Sequence, residues 1–135
     1  MTNCLFCNIV ARKIPSFAIH EDDDFLVILD RFPQCLGHAL ILPKAHAVDL
    51  FDLPADTAAK VLPLAQTVAA RLREVLQCDG LNLIQNNGTA AGQVVLHYHL
   101  HLVPRFEGDG MEIKRSSSYN PTDEEFAAFL AKYRA

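Results

Sequence analysis

Short runs of apolar residues, separated by turn-forming residues, predict a sheet of five strands. The runs are rich in Val, Ile, Leu and Phe and too short for stable helices, which is typical of strands. The acidic turn Asp22–Asp24 separates the first two runs, and Gly37 precedes the third. The predicted strands are Phe17–Glu21, Phe25–Asp30, His38–Pro43, Leu81–Gln85 and His97–Val103.

Three other segments carry apolar residues at helical spacing. Pro63 lies inside the longest segment, which predicts a kink or a later helix start, and Gly80 is a candidate left-handed stop. Asn3 is a candidate N-cap for the first helix. Thr122 and Glu125 form a capping box for the last helix. The predicted helices span Cys4–Arg12, Pro54–Leu76 and Thr122–Tyr133.

The order of these elements places the strands in a run with helices at the edges, which predicts an α+β fold on an antiparallel sheet. The chain has 135 residues, so we expect one domain over residues 1–135. The core is expected over residues 4–106, followed by a loop and a helix over residues 107–135.

The charge balance argues against partners that require a strongly basic protein. With 12 Lys and Arg against 16 Asp and Glu, the net charge is −4, so we expect no nucleic-acid partner and a local site for any anionic ligand. No apolar run approaches the length of a membrane span, and the N-terminus does not resemble a signal peptide. We therefore expect a cytoplasmic protein without a membrane partner, whose thiols stay reduced.

Three histidines alternate with apolar residues in the last predicted strand. Because strand side chains alternate between faces, His97, His99 and His101 share one face, and the residues between them face the core. Imidazoles on such a face must be hydrogen-bonded, bound to a metal or directed into a cleft. The spacing alone leaves two alternatives open: a solvated strand face, and a zinc hydrolase that uses a His-x-His pair.

The motifs around these histidines together resemble the histidine triad (HIT) family of nucleotide hydrolases and transferases. The segment His97–Val103 is similar to the family signature, and Asn86–Gln93 resembles the Asn-x-Gly…Gly-Gln loop that precedes it. Asp30, the segment Pro43–His46 and the opening Cys4–Pro15 also match the family pattern. The chain looks most like the bacterial branch related to adenosine phosphoramidases and dinucleoside polyphosphate hydrolases. The resemblance implies the HIT-like fold, with an antiparallel sheet of about five strands, one long helix and short terminal helices.

The resemblance also implies covalent catalysis at the histidines. His99 is then the nucleophile, because a neutral imidazole has a free lone pair near pH 7. It attacks an α-phosphorus of a purine nucleotide to form a nucleotidyl-histidine, and water then releases a nucleoside monophosphate. His101 donates to phosphate oxygens, and His97 completes the catalytic set. Asn86 and Gln93 are neutral amides suited to the phosphate or the leaving group, although Asn86 alone also fits a turn residue of its own loop.

A nucleoside pocket is implied as well, with one carboxylate and an apolar wall. Asp30 is expected to bind the ribose, and ordinary helix core remains the alternative for the apolar residues. Val94 lines the same site and replaces the Ser or Thr of close phosphoramidase relatives, which leaves open a non-catalytic nucleotide-binding or regulatory protein. Arg31 replaces an apolar residue and either contacts phosphates or is exposed. The apolar wall is expected to consist of Leu5, Phe6, Ile9 and Leu29.

A zinc site is implied separately from the catalytic residues. Cys4 and Cys7 have the Cys-x₂-Cys spacing that brings two thiolates to one Zn²⁺. By resemblance, His46 and His97 complete a structural Cys₂His₂ site. The alternatives are reduced thiols packed under the sheet and a surface position for His46. Nothing in the sequence points to an organic cofactor.

Other candidates receive less specific expectations. Cys35 and Cys78 are expected to be buried thiols. His20 and His38 are expected in structural or exposed positions. Arg105, Lys114 and Arg115 are candidates to extend the anion site, although the last two also fit a solvated tail. The family often forms twofold dimers through the long helix and a neighbouring strand, so the resemblance implies a homodimer.

Overall fold

The computed structural model describes residues 3–112 and 119–135, and its strands form a five-stranded antiparallel sheet. The order across the sheet is β1-β2-β3-β5-β4. The helices are α1 (Leu5–Val10), α2 (Ala55–Leu76) and α3 (Asp123–Arg134), which confirms the predicted α+β fold. The strands are β1 (Ala18–Glu21), β2 (Phe25–Leu29), β3 (Ala39–Pro43), β4 (Gly80–Ile84) and β5 (Leu100–Arg105).

The sheet is covered by a helix on each face. The amphipathic stripe of α2 packs on one face, against side chains that alternate along β2, β3 and β5. The shorter α1 packs on the other face through Phe6 and Ile9. Because both faces are buried, the central strands consist of almost continuous apolar residues. The cluster beneath α1 contains Phe6, Ile9, Leu26, Ile28, Leu40 and Leu42.

The last strand lies further along the chain than predicted. It begins at Leu100 rather than His97, and it continues through Pro104 to Arg105. The backbone of Arg105 pairs with β4, so the backbone of Pro104 faces the opposite side, where the pairing with β3 has already ended. There the Pro104 carbonyl accepts a hydrogen bond from Cys35 Sγ at 3.3 Å. The missing N–H of Pro104 therefore interrupts no ladder.

Two predicted helix signals are wrong, the Asn3 cap and the Gly80 stop, whereas the long helix starts within one residue of its predicted start. The N-cap of α1 is Cys4 rather than Asn3. The second helix starts well before Pro63, which lies within it. Its left-handed end is Gln77, with φ of 54°, and Gly80 instead opens β4. Asn is favoured at an N-cap and Gly at a left-handed helix end, but here Cys4 and Gln77 occupy these two positions.

The capping box of α3 is confirmed. Thr122 Oγ1 accepts from the Glu125 backbone N–H at 3.2 Å, and Glu125 Oε1 accepts from the Thr122 N–H at 3.1 Å. No residue of α3 is buried. Within residues 3–112 and 119–135, no helix is long and apolar enough to cross a membrane. Lys114 and Arg115, the proposed extension of the anion site, lie outside the described residues.

Candidate active site and metal centre

A cavity of about 780 Å³ lies between α1, the ends of β2 and β5, and the loop that precedes β5. The helix contributes an apolar wall, because the face that packs on the sheet continues to the cavity. The end of β2 contributes a carboxylate, and β5 contributes imidazoles. Nine of the predicted site residues line the cavity: Leu5, Phe6, Ile9, Leu29, Asp30, Asn86, Val94, His99 and His101.

The tautomer of His99 is set by a backbone carbonyl. His99 Nδ1 lies 2.7 Å from the carbonyl oxygen of His97, so Nδ1 carries the proton and donates it. Nε2 then has the free lone pair. The ring of His99 is buried and packs edge-to-face with Phe6, with ring centroids 5.0 Å apart. This packing and the hydrogen bond hold the imidazole in one orientation.

A fourth histidine sets the tautomer of His101. The backbone N–H of Gln34 donates to His38 Nδ1 at 3.0 Å, so the proton of neutral His38 is on Nε2. His38 Nε2 donates to His101 Nδ1 at 2.9 Å, and the proton of His101 is therefore on its own Nε2. His38 is buried against His101, which agrees with the structural position expected for it and excludes the exposed one.

The surroundings keep these imidazoles neutral. Burial lowers the pKa of His99, although the His97 carbonyl and Asp30 oppose that shift. Burial, and then the neighbouring His99 and His38, lower the pKa of His101 to about 4. Burial also lowers the pKa of His38. At pH 7 the cluster thus offers a lone pair on one ring and an N–H donor on another.

Asp30 is held at the end of β2 by its own turn. Its Oδ1 accepts from the Phe32 backbone N–H at 3.0 Å, and its Oδ2 lies 3.4 Å from His38 Nε2. Across the cavity, Asn86 lies close to Gly92, whose φ is +89°. A side chain at Gly92 would be strained by this φ, although its Cβ would make only ordinary contact with the amide of Asn86, at 3.7 Å. The loop therefore needs glycine at this point.

Gln93 does not lie on the cavity wall formed by the described residues, and this differs from its predicted contact with phosphate. Its Oε1 accepts from the Gly88 N–H at 2.8 Å, and its Nε2 donates to the carbonyls of Val48 at 2.6 Å and Val95 at 3.1 Å. The side chain is buried and both amide hydrogens are used. We interpret Gln93 as the residue that fixes the loop carrying Asn86.

A second cluster joins α1 to the segment before β5. His97 is fully buried, and its Nε2 donates to the Pro43 carbonyl at 2.8 Å, so the lone pair of Nδ1 faces the cluster. Around that atom lie Cys4 Sγ at 3.4 Å, Cys7 Sγ at 3.5 Å and His46 Nδ1 at 3.2 Å. Cys7 Sγ is also 3.3 Å from His46 Nδ1.

These distances fit a tetrahedral zinc ion. Zn–N bonds of about 2.0 Å and Zn–S bonds of about 2.3 Å place the ligand atoms of one ion about 3.3–3.8 Å apart. Two thiols and two imidazole nitrogens converge here, which is the donor set of a closed structural site. His97 thus belongs to the metal cluster by its side chain and to the His99 site by its carbonyl.

Asp30, His38 and His101 also bring three ligand atoms together, but the tautomers argue against a metal. His38 Nδ1 accepts the Gln34 N–H, so Nε2 must keep its proton unless the ring becomes an imidazolate. A cation at Nε2 would need that deprotonation. The chemistry of this group instead fits a hydrogen-bond relay.

The fold and the site identify the class of protein as a histidine triad protein, and the chain belongs to the HIT family: the HIT domain model matches residues 11–108. A solved HIT family protein from Bacillus anthracis has a TM-score of 0.88 at 31% identity, covering 98% of this chain and 95% of that chain. A Zn-bound histidine triad family protein from Mycobacterium smegmatis has a TM-score of 0.79 at 41% identity, covering 98% and 96%. Adenylylsulfatase HINT3 from Arabidopsis thaliana is 38% identical over 107 residues, which is 79% of this chain and 54% of that protein.

Proposed function

We propose that the protein is a nucleotide hydrolase or nucleotidyl transferase that acts on phosphorus anhydride or phosphoramidate bonds through His99. The observation that carries the proposal is the 2.7 Å contact between His99 Nδ1 and the His97 carbonyl, because it leaves Nε2 unprotonated toward the cavity. The adenylylsulfatase name of the Arabidopsis relative supports a nucleotide substrate.

In the first step, His99 Nε2 attacks the α-phosphorus. A P–N bond to the histidine forms, and the bond from phosphorus to the leaving group breaks, with its electron pair going to the leaving group. His101 Nε2–H donates to a phosphate oxygen, and Asn86 can donate to the same group from the opposite wall. These neutral donors stabilise charge that the transition state spreads over the phosphoryl oxygens.

In the second step, water attacks the same phosphorus and the P–N bond breaks. A nucleoside monophosphate leaves and His99 regains its lone pair. Asp30 accepts hydrogen bonds from the ribose hydroxyls, and the apolar wall from α1 covers the base. These contacts keep the phosphorus near His99 through both steps.

We further propose that Cys4, Cys7, His46 and His97 hold a structural zinc ion, which would cross-link α1 to the segment carrying the nucleophile. The Zn-bound relative from Mycobacterium smegmatis supports the proposal. The ligands require reduced thiols, which fits a cytoplasmic protein. No step of the reaction passes through the metal.

We also propose a homodimer that pairs the β4 edges of two chains beside α2. β4 is the last strand of the sheet, and Leu83 on it is 45% exposed. An unpaired edge of this kind can accept a second strand. Light scattering on the purified protein should give twice the chain mass, and a monomer at micromolar concentration would contradict the proposal.

The test of catalysis is intact-mass spectrometry after rapid mixing and quenching. Wild type and His99→Ala are compared on adenosine and guanosine phosphoramidates and on dinucleoside polyphosphates. A nucleotidyl adduct on wild type alone is expected. Binding of nucleoside monophosphates without an adduct or released product would favour the alternative, a non-catalytic nucleotide-binding protein.

A further inference from the structure

We infer that Arg31 selects the base of the nucleotide and gives the cavity a preference for guanine over adenine. The inference rests on the proposed function, since it names the base that the same cavity takes. Arg31 lines the cavity directly after Asp30, and among the described lining residues it supplies the one positive charge.

Arg31 contacts Phe17, which also lines the cavity. The guanidinium carbon is 5.8 Å from the centre of the Phe17 ring, and the Phe17 carbonyl accepts from the Leu29 N–H at 2.8 Å. Phe17 thus extends the line of β1, the edge strand, whereas His101 is on β5, three strand positions away. Neighbouring strands are spaced by about 4.8 Å, so roughly 14 Å separate the two strand axes.

This separation assigns the two ends of a bound nucleotide. The α-phosphate must lie at His99, and the ribose at Asp30 lies between. The base then extends toward α1 and Phe17, where the walls are apolar: Leu5, Ile9, Ile14 and Pro15. Such walls cover the faces of any base, so they do not distinguish one purine from another.

The guanidinium can make that distinction because it is without other polar partners. Within residues 3–112 and 119–135, Arg31 makes no hydrogen bond or ion pair, and its guanidinium lies over the Phe17 ring. A contact with a ring face uses the plane of the guanidinium and leaves the N–H donors at its edge available.

Those donors match one purine. A guanidinium offers a fork of donors and no acceptor. Guanine presents two adjacent acceptors, O6 and N7, whereas adenine places the N6 amino donor beside N7. A fork facing that edge therefore binds guanine with two hydrogen bonds and meets a donor on adenine.

The experiment is isothermal titration of the protein with guanosine and adenosine monophosphate. Wild type is expected to bind the guanine nucleotide about tenfold more tightly, as for one bidentate contact. Arg31→Met keeps the apolar stem and should bind both nucleotides equally. Arg31→Lys keeps the charge without the fork and should lose most of the preference. Arg71→Met, on the exposed side of α2, is the matched control and should behave as wild type.

Equal binding of the two nucleotides by wild type overturns the inference, and so does a preference that survives in Arg31→Met. Loss of affinity for both nucleotides to the same degree in Arg31→Met would mean that Arg31 stacks on any base, and this also overturns it. The proposed function stands in each of these cases. Binding of neither nucleotide by wild type would overturn the inference and the proposed function together.

Discussion

Each imidazole of the cavity has one ring nitrogen committed to a backbone group or to another ring. The His97 carbonyl accepts a hydrogen bond from His99 Nδ1–H, and the Gln34 N–H donates one to His38 Nδ1. The tautomer of His99 is thereby fixed by a carbonyl, and that of His101 by His38, whose own tautomer the Gln34 N–H fixes. At His99 and His101, the two imidazoles that line the cavity, Nε2 remains free for a ligand.

The first prediction at this scale concerns pH. Because burial lowers the pKa of His99, the nucleophile should stay unprotonated until the pH falls below the ordinary imidazole value of about 6.5. The rate of adduct formation should be flat from pH 8 to that value and fall below it, as the lone pair is lost to a proton. Quenched-flow measurements over this range test it, with circular dichroism at each pH as the check on folding. An acid limb centred at or above pH 6.5 would contradict the prediction.

The second prediction concerns His38. In His38→Leu, His101 Nδ1 loses its donor and the ring can take the wrong tautomer, so kcat should fall at least about tenfold while KM changes little. Steady-state kinetics measure both constants. His20→Leu is the matched control, since His20 pairs with Asp22 at the surface. An unchanged kcat in the His38 variant would show that His101 does not need this donor.

At the scale of elements, the buried amide of Gln93 ties the loop before β5 to itself and to the segment beyond β3. Gln93 binds the backbone of Gly88 and Val95 in its own loop and of Val48 beyond β3. The loop can therefore carry small residues and a 3-10 turn at Thr89–Ala91 without losing its position. This is how Asn86 and Val94 come to face the cavity together.

The third prediction follows from these hydrogen bonds. Gln93→Met should lower the free energy of unfolding by about 1–3 kcal/mol, because three half-buried backbone groups lose their partner. Urea denaturation measures the change. Gln66→Met, an exposed position on α2, should be within about 0.5 kcal/mol of wild type. Equal stability of the two variants would mean that water replaces the amide at no cost.

The sequence predicted elements well where one periodicity dominated and less well where a side chain decided the geometry. The apolar runs of β2 and β3 and the capping box of α3 were correctly predicted because neighbours along the chain determine them. The start of β5 depends on where its partner strand β3 ends. The pattern of residues near the start of β5 does not predict that position. The roles of Gln93 and His38 depend on partners that are 45 and 63 positions away in the sequence. The spacing of residues within one motif does not predict such distant contacts.

At the scale of the whole molecule, α1 connects the two functional clusters. Its N-terminal turn carries the thiols, and its buried face carries the apolar wall of the cavity. With six residues, α1 is too short to be stable alone. Its position therefore depends on packing against the sheet and on the ligands that gather at His97.

The fourth prediction concerns the metal. The purified protein should contain about one zinc per chain, and Cys7→Ser should lose it together with more than about 5 °C of Tm. Elemental analysis and calorimetry measure the two effects. Cys35→Ser, which can keep its bond to Pro104, is the control. A folded Cys7→Ser protein should still form the adduct on His99 at low temperature. Equal zinc in both variants, or none in wild type, would contradict the assignment.

The orientation of His99 depends on a main-chain carbonyl, and this has a consequence for how such a protein can evolve. No point substitution removes a carbonyl, so drift at the thiols and at His46 can erase the proposed metal site while the orientation of His99, the proposed nucleophile, persists. A descendant that replaced the cross-link with apolar packing would keep its chemistry. Position 97 thus has two roles that can be lost independently. Its side chain contributes to the proposed metal site, and its backbone carbonyl orients His99.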